Sequence, residues 1–296
     1  MTRPIFKADV RTERWGATTM ALFANLRKIW REHYIKPVGR ITNAFDFNPN
    51  TGRYNVDEEA IRKNMAQIRN KSAMVWNASA PYVKKAFGNA TKKGLKHFTD
   101  QQAKTKSVFV SKLNQADWDR LVETSLTNHM ELFTREFPDR ILGPEVERLV
   151  NLFVSRAETD IAAIATVQER IRRLDQMLSG YLYDLTDVTV GRAWNFAGIN
   201  MAYDTGVVRA MIVAILDALT CQVCVRLHGK RIDVAAMYNR ANAFLNADYA
   251  NATDVASGWP FPRIADVDNV SPRIIEARGY LPMFHNKCRC DIVFLW

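Results

Sequence analysis

No cysteine occurs among the first 220 residues of this 296-residue chain; all four lie in the remainder. Disulfides cannot therefore staple most of the molecule, and whatever thiol chemistry it has is confined to one end. Long apolar runs are also missing. The longest, Ala210 to Leu216, is bounded by Arg209 and Asp217 and falls far short of a membrane span. The first residues, Met1 to Lys7, lack the apolar core of a secretory leader, so we expect a protein made and used in a cytosol, with no membrane partner. Arginine is absent from Lys84 to Lys112, a stretch with eight lysines (Lys84, Lys85, Lys92, Lys93, Lys96, Lys104, Lys106 and Lys112) opposed only by Asp100. Without arginine the stretch is poorly suited to bidentate base readout, and it reads as a polyanion-contacting surface or as a solvated helix face.

What is present is an ordinary folded composition, with 48% apolar and 24% charged residues, enough for one large or two ordinary domains. A net charge of +10 favours polyanions or acidic partners. Residues 1–16 read as a polar arm. Apolar residues at helical spacing predict a helix over 17–36 that Pro37 and Gly39 end. Asn48-Pro49-Asn50-Thr51-Gly52 predicts a turn, and Asp57 predicts the cap of a helix running towards Trp76. Ser79-Ala80-Pro81 then opens the lysine-rich helix, weakened by Gly88 and Gly94. Further helices are predicted from Asn114 to Pro138 and from Pro144 to about Ser179-Gly180, with another after Gly180 that ends near Asp204. The period then changes: Val207–Asp217, Gly229–Val234 and Cys290–Leu295 read as strands, Ala235–Tyr249 as a short helix and 252–282 as loop. The expected class is α+β. A largely α-helical body with long helices (1–180) precedes a small β-containing C-terminal domain stapled by zinc (181–296).

The zinc expectation comes from Cys221-Gln222-Val223-Cys224 and His285-Asn286-Lys287-Cys288-Arg289-Cys290. C-x-x-C followed at a distance by H-x-x-C makes two bidentate half-sites, the usual construction of a tetrahedral Cys₃His centre. Four of Cys221, Cys224, His285, Cys288 and Cys290 are expected to bind, with Cys290 as the alternate and His228 in reserve. A redox pair, disulfides and inert buried thiols are the other readings of these residues.

The ordered set Leu216-Asp217-x-x-Thr220-Cys221-x-x-Cys224, His228-Gly229-Lys230, Pro282 and His285-x-x-Cys288-Arg289-Cys290 resembles the C-terminal domain of the Mu-F-like head morphogenesis family of tailed bacteriophages. Arg192 and Asn195 resemble positions on the helix preceding it, and the likeness covers about 185–292. The resemblance implies a minor capsid protein of the phage head, not an enzyme. It would be made in the host cytoplasm and retained in the virion near the portal vertex, with portal protein or major capsid protein as partners and packaged double-stranded DNA nearby. Two other functions compete. A zinc-ribbon nucleic-acid-binding protein would use Arg226, Lys230, Arg231, Lys287 and Arg289. A nuclease with His285-Asn286 in its catalytic turn would need a general base besides its metal ligands, and only His228 is available.

Overall fold

The computed structural model describes residues 16–51, 53–104, 161–246, 261–284, 288 and 290–295, with isolated positions between 116 and 151. The described chain is mostly helical, with a small antiparallel sheet and a separate hairpin. In order, the elements are α1 (Ala17–Trp30), α2 (Lys36–Arg40), β1 (Phe45–Asn48), β2 (Arg53–Val56), α3 (Glu58–Asn70), α4 (Ser72–Lys104) and α5 (Ile161–Asp204). They continue with β3 (Arg209–Val213), α6 (Gln222–Leu227), β4 (Arg231–Asp233), α7 (Val234–Leu245), α8 (Ile264–Val267), α9 (Pro272–Ala277) and β5 (Asp291–Leu295). Two packing units share the long helices: 1–22, 84–125 and 184–296 make one, 23–83 and 126–183 the other.

In the second unit Leu26, Trp30, Tyr34, Ile61, Ile68 and Val75 are buried, with the Trp30 and Tyr34 rings edge to face at 5.4 Å. Burial pushes the Tyr34 phenol above its ordinary range. Pro37 does not end the first helix, as its sequence predicts. A π-turn at Arg31–Ile35, in which the Lys36 N–H donates to the Arg31 carbonyl, widens the coil, and the chain continues helically through a buried Pro37. The looser ladder accommodates a residue that has no donor. The turn at 48–51 closes a hairpin pairing Phe45 with Val56 and Phe47 with Tyr54, and the Asp57 carboxylate caps α3 through the Ala60 N–H at 2.9 Å.

Two further breaks expected from sequence are absent. Pro81 lies inside α4 rather than opening a new helix, and the long helix passes straight through Gly180 to Asp204. At 44 residues α5 is about 66 Å long. The expected Asn114–Pro138 helix lies outside the described residues, as does most of the segment from Pro144 to Asp160. In the first unit glycine allows α4 and α5 to touch. A β-carbon at Gly94 would lie 2.8 Å from the Trp194 carbonyl, and one at Gly198 would lie 2.3 Å from the Phe98 ring. Phe98, fully buried, also meets Phe294 of β5 at 5.2 Å, so the sheet packs on this helix pair.

The sheet order is β4-β3-β5, antiparallel throughout. Its register places Ala210, Ile232 and Phe294 side by side, with Ile212 opposite Ile292 and Val213 opposite Asp291. Residues two apart share a face, and the buried residues Ala210, Ile212, Ile292 and Phe294 form the inner one. Part of the expected 252–282 loop is helical: α8 and α9 occupy 264–267 and 272–277.

Candidate metal centre

The central strand decides where the cysteines go. Since Val213 pairs with Asp291, Cys290 reaches the same end of the sheet at which β3 hands the chain on to α6. Between β3 and α6 a tight turn is held by its own side chains. The Asp217 carboxylate accepts from the Leu219 N–H at 2.9 Å and the Thr220 hydroxyl at 3.0 Å, while the Thr220 hydroxyl oxygen accepts from the Asp217 N–H at 3.0 Å. That arrangement explains the Asp-x-x-Thr spacing: the two residues close an Asx-type turn that sets the start of α6. Cys221 is the N-cap of that helix, with its sulfur accepting the Cys224 N–H at 3.4 Å. A type II turn ends it. His228 has φ −58° and ψ 129°, Gly229 has φ +74°, and the Lys230 N–H donates to the Leu227 carbonyl at 3.0 Å. The glycine is required there because position i+2 of this turn needs positive φ.

Cys224, Cys288 and Cys290 come together as a buried cluster whose sulfurs all lie within 4.8 Å of one another. The Cys224 and Cys288 sulfurs are 4.0 Å apart, across 64 residues of chain. Neighbouring Cys288 raises the Cys224 thiol well above its ordinary range, with burial acting in the same direction. Neighbouring Cys224 and Cys288, together with burial, do the same to Cys290. Such thiols release their protons readily only to something that replaces the charge, and a metal ion does so. The cluster is thus a candidate metal centre with three sulfur donors.

No family model, curated protein or solved structure matches the chain.

Of the sequence-derived ligands, Cys224 and Cys288 are in the cluster, joined by Cys290, and Cys221 sits beside Cys224 as the helix cap. His285 lies outside the described residues. His228 is engaged elsewhere, its Nδ1 accepting the Ala214 N–H at 3.0 Å and holding the end of β3 to the turn after α6. Among the lysines, Lys84, Lys85, Lys92, Lys93 and Lys96 are exposed on α4, and Lys93 approaches the Thr18 hydroxyl at 3.5 Å. Lys104 is within the helix, and Lys106 and Lys112 lie outside the described residues.

Several further residues support this region; Arg192 and Asn195 are the two helix positions singled out in the sequence, whereas Gly279, Arg278, Tyr280 and Met283 carry little signal there. Gly279 (φ +59°) presses its backbone on α7, where a β-carbon would lie 2.5 Å from the Ala236 carbonyl. Arg278 and Tyr280 both donate to the Asp266 carbonyl, at 2.6 and 3.2 Å. Arg192 puts its guanidinium 5.0 Å from the Phe244 ring centroid and 5.3 Å from that of Phe261. Buried Asn195 folds back on its own helix, donating to the Gly191 carbonyl at 2.9 Å. Met283, buried with φ +65°, sits over Gly191, where a β-carbon would meet its sulfur at 2.5 Å. Glycine at 191 leaves room for the Met283 side chain against α5.

Proposed function

We propose that this chain is a minor structural protein of a tailed-phage head, acting in head morphogenesis near the portal and the packaged DNA, with one structural zinc ion in its C-terminal region. The observation that carries the reading is the joining of the two separated cysteine motifs in one buried cluster at the end of the sheet. The donor set fits zinc. Tetrahedral zinc with bonds of about 2.3 Å places sulfurs roughly 3.8 Å apart, and the Cys224–Cys288 separation is 4.0 Å. Cys224, Cys288 and Cys290 supply three donors, with Cys221 or His285 as the fourth. Zinc's part is structural: it neutralises thiolates that burial would otherwise keep protonated.

Magnitudes support a stapling role. Bringing together residues 64 apart costs about 4 kcal/mol in loop closure, and a three-stranded sheet of short strands recovers little of it unaided. A structural zinc ion contributes roughly 10 kcal/mol or more. The exposed lysines of α4 add a surface for backbone contact with DNA.

The test is absolute quantitation by mass spectrometry of purified virions. The reading expects this chain in few copies relative to the major capsid subunit, beside a portal protein. DNA-filled particles lacking it would count decisively against it, and would leave the nucleic-acid-binding reading to be tested by DNA affinity. Metal analysis of the purified chain tests the zinc. About one ion per chain is expected, lost on Cys224→Ser.

A further inference from the structure

At the end of the sheet opposite the cysteines, where Arg209 of β3 pairs with Asp233 of β4, the chain forms a groove that the metal centre does not use. Asp233 with Ala235, Ala236 and Asn239 of α7 on one side, and Arg273, Glu276 and Ala277 of α9 on the other, line a cavity of about 450 Å³. None of these residues is buried, so the cavity is shallow and open to solvent. Both of its carboxylates are already engaged. Asp233 accepts the Ala236 N–H at 2.7 Å as the cap of α7, and Glu276 pairs with Arg209 at 2.8 Å. The Arg273 guanidinium and the Asn239 carboxamide make no hydrogen bond or ion pair among the described residues. Arg273 also lies in the first turn of α9, where the helix dipole disfavours a cation, so its own helix does not account for the charge.

We propose that this groove is a docking site for an acidic segment of a partner protein, whose glutamate or aspartate side chain sets its carboxylate on Arg273 and Asn239. A guanidinium is a planar fork that matches a carboxylate, and the carboxamide adds a further donor. The three alanines leave room for the methylenes that carry the carboxylate. Charge decides between a carboxylate and nucleic-acid phosphate. Arg209 neutralises Glu276 and Asp233 balances Arg273, so the groove has no net positive charge with which to draw a polyanion. A phosphate backbone would carry further negative charges past both carboxylates, whereas one carboxyl group needs only the fork. Depth decides between a free acid and a peptide. Small-molecule sites bury most of their ligand, which an open groove of this kind does not do. A segment of chain gains contacts on either side of its acidic residue and spreads the cost of binding over them. The groove lies apart from both the α4 lysines and the cysteines, so its failure would leave the phage-head and zinc readings untouched.

The experiment follows the Asn239 side-chain amide and the Arg273 Nε–H of the full-length chain by NMR. The probes are an acetylated, amidated tripeptide of alanine, glutamate and alanine, the same peptide with glutamine at its centre, butyrate, and inorganic phosphate. The glutamate peptide is expected to shift both signals with a Kd on the order of 1 mM, as suits one charged side chain on an open surface. The glutamine peptide should shift neither at about 20 mM, and butyrate and phosphate should bind more weakly than the glutamate peptide. Arg273→Gln should weaken the glutamate peptide about 10-fold, and Arg273→Lys by less, because an ammonium keeps the charge without the fork. No shift with the glutamate peptide, equal shifts with the glutamine peptide, or unchanged affinity in Arg273→Gln would each overturn the proposal. Phosphate binding as tightly as the glutamate peptide would make the groove a general anion site, and butyrate doing so would make it a small-acid site; either result overturns it as well. The wild-type titrations settle the matter even where a variant misfolds.

Discussion

At the residue scale, the positions most exposed to single changes are those where two backbones or a ring and a backbone nearly touch. Gly198→Ala would gain about 1 kcal/mol of helix propensity in α5. It would also drive a β-carbon to 2.3 Å from Phe98, a ring that is fully buried and held against Trp194 and Phe294. Overpacking of this kind costs about 1–3 kcal/mol and is expected to win. Urea denaturation should show net destabilisation; a stabilised variant would mean the two helices are not this close. Asp217→Ala removes the acceptor for two turn hydrogen bonds but leaves every cysteine in place. A loss of about 1 kcal/mol is expected, with metal content unchanged. A variant that loses its metal would show the turn to be part of the centre and not merely its support.

At the element scale, α4 carries two tests. Pro81 is exposed inside it and removes one backbone donor, a defect that costs roughly 3 kcal/mol in a helix interior. Pro81→Ala is therefore expected to raise the melting temperature; a lower one would mean that the proline sits at a helix boundary. The second test concerns charge. At 100° per residue Lys85, Lys92 and Lys96 fall within one narrow outward stripe, opposite buried Val83, Phe87, Ala90 and Phe98. Lysine stripes bind phosphates as point charges, so affinity for duplex DNA should fall steeply with salt and show little sequence preference. Replacing the three lysines with glutamate should lower the salt slope by roughly 3, measured by fluorescence anisotropy on two unrelated sequences. No binding by the wild-type protein at low salt would reduce the stripe to a solvated face.

At the scale of the whole molecule, removal of the proposed zinc ion should act locally. The long helices have their own buried contacts, such as Phe98 with Trp194 and the close passage at Gly94, whereas β3, α6 and β5 are the elements that meet at the cysteine cluster. Chelation is therefore expected to raise hydrogen exchange in β3, α6 and β5 while α4 and the middle of α5 stay protected. Uniform loss of protection would make the ion a global determinant of the fold, and no change would remove its structural role.

The sequence by itself determined the helical character of most of the chain, the change of period near Val207, the three strands that follow and the residues from which a metal centre could be built. Those are local properties: periodicity, β-branching and ligand spacing act over a few residues. The Asp57 cap and the turn after Asn48 were legible for the same reason. Tertiary structure decided the rest. Pro37, Pro81 and Gly180 read as breaks because each weakens an isolated helix by about 1–3 kcal/mol; packing along helices as long as α4 and α5 outweighs that local cost at Pro81 and Gly180, and the π-turn at Arg31–Ile35 accommodates Pro37. The β1–β2 hairpin was legible only as its turn. Cys290 joins Cys224 and Cys288 because strand register brings the end of β3 beside the start of β5. His228 holds that strand's end instead of standing ready for a metal, because its Nδ1 meets the Ala214 N–H across a turn. Spacing names the possible ligands; the pairing of one strand with another, through contacts more than sixty residues apart, selects among them.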